Sequence, residues 1–165
     1  FTYTIIPFIT MRTYEQIKND VCLQNTNVKI VGVGAGLVYS TLGPTHHALE
    51  DIAIMKVLPN MKIISPADPI EAKKATLEIA EIKGPVYLRL GTAGEPTIYE
   101  NDYEFIMDRG IELKTGEDAT IITTGSITHD VLIAAKELEQ DNISVRVINI
   151  NTITIYLIKR KLSIY

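Results

Sequence analysis

The run Gly43-Pro44-Thr45-His46-His47-Ala48-Leu49-Glu50-Asp51 carries the densest chemistry of the chain. A glycine-rich segment, Gly32 to Gly43, leads into it, and a helical pattern leaves it. Junctions of a loop and a helix are where α/β proteins place reactive groups. Thr45 is placed to cap the helix, its hydroxyl accepting from amides two or three residues on. His46 and His47 then fall in the first helical turn, where the dipole disfavours a charged imidazole. A neutral histidine there can give or take one proton near neutral pH. The same residues equally describe a surface histidine beside a cap. They do not describe a metal site: neighbours on a helix point about 100° apart, and no third ligand follows at a recognisable spacing.

The rest of the chain sets the frame for this run. With 165 residues there is enough material for one good core or two small ones. Hydrophobic residues at 46% and charged residues at 22% are ordinary for a soluble globular protein. A net charge of −4 argues against a general nucleic-acid binder. The single cysteine, Cys22, precludes an intramolecular disulfide and fits a reducing, cytoplasmic setting. No apolar run has the length of a membrane span, and no signal peptide is visible. Both ends, the apolar start Ile5–Ile9 and the tail from Ile153 to Tyr165, read as those of a fragment. They are expected to expose hydrophobic surface unless a partner covers them.

Periodicity places the elements. Residues 3–9 fit a short buried strand or the approach to a helix, and Met11 to Leu23 has helical spacing. Strands are expected at 28–33, 61–64 and 86–90, with helices over 47–57 and 70–82. Asp68 caps the second of these with Pro69 at its first position, and Ala72, Ala75, Ile79 and Ala80 face inward. Arg89, among apolar neighbours, either meets a polar interface or caps its strand's end. Gly32-Val33-Gly34-Ala35-Gly36 is not a dinucleotide fingerprint, because the third glycine comes one residue early and no helix follows directly. A loop that lets backbone approach a ligand or partner fits better. This order gives a parallel sheet flanked by helices over 1–91. Residues 92–116, with Glu100-Asn101-Asp102 as loop signals, read as a linker holding a small hairpin of 103–107 and 111–114. A second, partial α/β domain over 117–165 follows, with strand 119–124, helix 128–140 (Val131, Ala134, Ala135 and Leu138 inward) and strand 143–150.

Taken in order, Gly43-Pro44-Thr45-His46-His47, Glu50-Asp51-Ile52-Ala53, Leu58-Pro59-Asn60-Met61, Ser65-Pro66-Ala67-Asp68 and Gly84-Pro85-Val86-Tyr87-Leu88-Arg89 resemble the transketolase family. Upstream, Phe8-Ile9-Thr10-Met11-Arg12-Thr13-Tyr14-Glu15-Gln16-Ile17 also resembles it. The resemblance runs from about Thr4 to Ile153 and is to the pyrimidine-binding domain, continuing into the C-terminal domain. It is closest in style to split enzymes whose C-terminal section is a separate polypeptide. It implies a thiamine-diphosphate-dependent transfer of two-carbon ketol units between sugars, with the cofactor held between subunits of a homo- or hetero-oligomer. A separate pyrophosphate-binding section or N-terminal subunit would hold the diphosphate and Mg2+. By the same resemblance Phe8 packs on the aminopyrimidine, Ile5 and Met11 line its pocket, and His46 contacts the donor substrate's oxygens. His47 has no comparable role.

The departures are specific. The glutamate that activates the aminopyrimidine lies upstream of Phe1 in the family, so the chain by itself is expected to be inactive. Leu42 stands where many sugar-using members have an aspartate, and Thr92 where a phosphate-binding arginine is common. Both put a sugar-phosphate substrate in doubt. Asn151 replaces a histidine, and the match ends after Ile153. Two other readings remain: a deoxyxylulose-phosphate-synthase-like or other thiamine-diphosphate enzyme fragment, and a non-catalytic remnant. The β-subunits of 2-oxo-acid dehydrogenases fit less well, because Leu88-Arg89-Leu90-Gly91 lacks their acidic residue.

Overall fold

A computed structural model describes residues 1–100 and 103–153. Asn101 and Asp102 of the expected loop, and the tail after Ile153, lie outside the described residues. The first sheet contains β1 (Thr2–Ile5), β2 (Lys29–Val33), β3 (Lys62–Ile64) and β4 (Val86–Leu90). They run parallel in the order β1-β2-β4-β3, and the short β8 (Thr152–Ile153) adds antiparallel to β3. Helices α1 (Ile6–Thr10), α2 (Tyr14–Gln16), α3 (Asp51–Lys56) and α4 (Pro69–Glu81) fill the connections. Strand residues alternate between two cores. Ile30, Ile63 and Tyr87 pack with Ile9, Ile17, Cys22 and Met55. Val31, Ile64, Val86 and Leu88 pack with Ala75 and Ile79 of α4.

A second sheet has the order β5 (Gly110–Lys114), β7 (Val145–Ile150), β6 (Ala119–Thr123). β6 and β7 are parallel, joined by α5 (Thr128–Leu138), and β5 is antiparallel to β7. The expected hairpin of 103–107 and 111–114 does not form; β5 lies inside the stretch read as a linker and pairs with β7 instead. Phe105 and Met107 pack against the core under α4.

Other expectations are corrected. The helix over 11–23 is broken: Thr13 leaves helical geometry (φ −111°, ψ 20°), and a π-helical segment, Ile17–Cys22, follows α2. Thr10 and Thr13 hydroxyls donate back to the carbonyls of Ile6 and Ile9, a pairing that bends helices. The apolar start is not an exposed patch, because Ile6 and Ile9 are core residues. Ala80 and Ala134 are exposed rather than inward. The cap of α4 is as expected: Asp68 Oδ1 accepts from the Glu71 amide at 2.7 Å, with Pro69 next. At the other end of α4, the buried Lys29 ammonium donates to the carbonyls of Ile82 (2.7 Å) and Gly84 (2.8 Å), near a helix C-terminus that favours a cation.

The two sheets are tied through one acid. Glu71 is fully buried, and among the described residues no ion pair is made to it. Its carboxylate accepts from Ala67 N (2.7 Å), Tyr103 Oη (2.8 Å), Asn151 Nδ2 (2.9 Å) and Asn149 Nδ2 (3.1 Å). Asn149 lies on β7 and Asn151 follows it, so the acid joins α4 to the second sheet's exit. Asp68 Oδ2 adds two bonds of 2.8 Å from the amides of Ile98 and Tyr99. Ser65 completes the seam, its amide donating to Asn151 O and its carbonyl accepting from Gly125 N.

Two outcomes are expected. Burial raises the Glu71 carboxyl above its ordinary value of 4.5, and its four hydrogen bonds only partly oppose this. A raised native value means that the folded state holds the proton longer than the unfolded one. Its stabilisation is therefore complete below 4.5 and falls as pH rises through the native value. In urea titrations over that window, Glu71→Gln should flatten the pH dependence. Gly125 has φ +70°, and an added Cβ would lie 2.7 Å from Ser65 Oγ. Ser65 Oγ has no partner and can turn aside, so Gly125→Ala should lower unfolding stability by about 1–2 kcal/mol, the left-handed cost alone.

Candidate functional site

The loop bearing His46 leaves β2 at its carboxyl end, where ligands bind in parallel sheets. It is closed at its base by a two-way backbone bridge: Gly36 N donates to Ala48 O (3.1 Å) and Ala48 N to Gly36 O (2.9 Å). Arg89 on β4 holds that base. Its Nη2 donates to Ala48 O at 3.2 Å, and its Nε to Asp51 Oδ2 at 2.7 Å. Tyr87, two residues earlier on the same strand face, donates its hydroxyl to the same Asp51 oxygen at 2.6 Å. Asp51 is fully buried. A buried carboxylate needs such a cation and donors to be tolerated. Arg89 thus meets a polar interface, the first of the two expectations for it.

Within the loop, two short 3₁₀ turns, Ser40–Leu42 and Pro44–His46, replace the expected helical start. Helix α3 begins only at Asp51, without a side-chain cap. Thr45 is therefore not an N-cap; its Oγ1 lies 3.0 Å from His46 Nδ1. His47 is extended, with Nε2 3.3 Å from Ser40 O. Neither histidine sits in a first helical turn. Gly43, at φ +83°, makes the kink between the two turns, a backbone state that the Gly-Pro pair permits.

Phe8 and His46 are brought together. Their ring centroids are 5.0 Å apart at 66°, an edge-to-face contact. Phe8 lies on α1 at the carboxyl end of β1, and both residues are half-buried. The guanidinium carbon of Arg12 lies 4.1 Å from the Phe8 centroid, a cation–π contact that the sequence reading did not anticipate. Ile5 closes β1 ahead of α1 and Met11 follows α1, exposed at 38%. The 5/8/11 spacing keeps them near Phe8 along the chain. His46 can act through Nε2: with Nδ1 paired to Thr45, Nε2 has no partner among the described residues. It donates or accepts according to which way the Thr45 hydroxyl points.

Sequence reasoning missed Asp51 and Glu71 as buried acids. Asp68-Pro69-Ile70-Glu71 carried a signal, an acid three residues after an N-cap, as in a capping box. Tyr87 and Arg89 carried another, two polar-ended residues on one strand face. Among the described residues no group of three or more His, Cys, Asp or Glu is placed to hold a metal ion. No described helix is long and apolar enough to cross a membrane.

Comparison with known proteins agrees with this layout. Residues 1–93 match the family model for the transketolase pyrimidine binding domain, and residues 109–157 that for the transketolase C-terminal domain. The B subunit of apulose-4-phosphate transketolase from Phocaeicola vulgatus is 37% identical over 147 residues, 88% of this chain and 47% of that protein. A 1-deoxy-D-xylulose-5-phosphate synthase from Desulfitobacterium hafniense is 34% identical over 86% of this chain and 23% of that one. Among solved structures, a split-gene transketolase described as an inactive beta4 tetramer is 40% identical, with a TM-score of 0.82. The match covers 91% of this chain and 48% of that one. The chain spans about half the length of the subunit-type relatives it matches. Matched over more than half its length to the family's pyrimidine binding domain, the chain belongs to the transketolase family.

Proposed function

We propose that this chain is a section of a thiamine-diphosphate-dependent transferase that moves two-carbon ketol units between sugars. The observation that carries the reading is the meeting of Phe8 and His46 from separate loops. Phe8 offers a flat, half-buried ring for the aminopyrimidine, with Ile5 and Met11 as apolar flanks. His46 offers Nε2 to the oxygens of the donor sugar, its ring steadied by Thr45 and by the Phe8 edge. When bound, thiamine diphosphate supplies a nucleophilic carbon and an electron sink for the two-carbon unit. The residues present fit one half of that need.

The other half lies outside the described residues. An aminopyrimidine needs a carboxylate, and the fully or nearly fully buried acids among the described residues are committed elsewhere. Asp51 serves Tyr87 and Arg89, Asp68 serves backbone amides, and Glu71 serves the seam. The diphosphate and Mg2+ are assigned to a pyrophosphate-binding section or N-terminal subunit in a homo- or hetero-oligomer, and the activating carboxylate to the segment that precedes Phe1 in the family. The relatives include proteins named as B subunits and a split-gene enzyme, which supports a partner chain. The likeness to a deoxyxylulose-phosphate synthase supports a second reading, the same cofactor with a different product.

The test is reconstitution of this section, extended upstream to include the activating glutamate, with a complementary N-terminal section, thiamine diphosphate and Mg2+. The chain alone should give no turnover and the mixture should transfer two carbons between sugars; product identification separates the two readings. Turnover by the isolated chain, or none by an assembled mixture, would contradict the proposal. In the active mixture, His46→Ala should lower kcat/KM about 10²-fold with cofactor affinity unchanged, the cost of a lost positioned hydrogen bond. Phe8→Ala should instead weaken cofactor affinity about tenfold, the worth of one ring contact.

A further inference from the structure

A second concave site lies apart from Phe8 and His46, between the two sheets. A cleft of about 380 Å3 is walled on one side by the loop after β2 and by Arg89, and on the other by Thr124, Ser126, Ile127, His129 and Asp130. The carboxyl ends of β2 and β4 in one sheet and of β6 in the other thus face a single space. Open parallel sheets bind ligands at such ends. The volume suits a small metabolite and is at the low end for binding pockets.

Its polar groups have unused capacity. Arg89 meets Asp51 and Ala48 through Nε and Nη2, which leaves Nη1 without a partner among the described residues. Its side chain keeps 14% exposure at the cleft wall. Thr124 Oγ1 is buried without a hydrogen-bond partner, an arrangement that costs free energy until an oxygen or nitrogen arrives. Ser126 and His129 add a hydroxyl and an imidazole on the same wall. Asp130 stands at the rim, 72% exposed, its Oδ1 3.6 Å from His129 Nδ1. The donors line one cleft, and the acid on it is the more exposed group.

We infer that this cleft binds the oxyanion group of a small polar metabolite, through Arg89 Nη1 and the hydroxyls of Thr124 and Ser126. Phosphate and carboxylate share the required chemistry. Asp51 already balances the Arg89 charge, so affinity for a bare oxyanion is millimolar rather than tighter. The site is apart from Phe8 and shares with the His46 loop its base, through Arg89 and Gly36.

The test is a titration of the full chain followed by amide and Arg Nε NMR signals, with sodium phosphate in one arm and sodium acetate in the other. Sodium chloride at matched ionic strength is the reference. Saturable shifts at Ser126, Ile127, His129 and Arg89 in either arm are expected, and the arm that saturates names the group. Thr124→Val keeps the shape and removes the orphaned hydroxyl. It should weaken binding at least fivefold without loss of thermal stability, and Ser126→Ala should weaken it similarly. Shifts that stay linear in both arms or match chloride, or an affinity unchanged in both variants, would overturn the inference.

Discussion

The site rests on a buried carboxylate shared between two side chains of one strand. Asp51 is fully buried and accepts from the buried Tyr87 and from Arg89, whose side chain keeps only 14% exposure. Because the strand alternates its faces, residues 87 and 89 reach the same acid, and the acid fixes the guanidinium that grips Ala48. Ala48 closes the loop on Gly36, and the loop delivers His46 to Phe8. Removing one member of such a pair leaves an uncompensated buried charge, typically about 3–5 kcal/mol. The position of His46 is thus set from beneath, by the sheet, rather than by the short 3₁₀ turns on which it sits.

Glu71 is the counterpart at the seam, and its chemistry is different. Among the described residues it pairs with no cation and takes donors from four places in the chain. Asp51 is matched by charge; Glu71 is matched by hydrogen bonds, and its burial raises its carboxyl above the ordinary value. The two acids divide the work: one orients the loop that carries His46, and the other joins the first sheet to Asn149 of β7 and to Asn151 just after it. The oxyanion cleft lies between the regions they fix.

The parallel β-strands were legible because β-branched runs between glycine, proline and asparagine signals leave little choice. The cap at Asp68-Pro69 was legible for the same local reason. What failed was long-range or competitive. Residues 11–23 have helical spacing, but threonine hydroxyls at 10 and 13 compete for the helix carbonyls. The Gly43-Pro44-Thr45 run looked like a helix start, yet Glu50 is the last residue before the helix, and the loop is held by an arginine forty residues later. β5 pairs with a strand that follows it by some thirty residues, so no local pattern at 103–114 could reveal its partner. Phe8 and His46 were named from family resemblance; their contact, and Arg12 over the same ring, are matters of tertiary placement.

The most direct measurement is the set of NOEs between the Phe8 ring and the His46 imidazole, in the wild-type chain and in Arg89→Met. Core methyl signals of Ile30 and Ile63 report whether the fold is intact. If the buried Asp51–Arg89 pair sets the site, the ring NOEs are present in the wild type and vanish in the variant while the core signals persist. Ring NOEs that survive the loss of Arg89 would show that the loop places His46 by itself, and would contradict the dependence of the site on that pair.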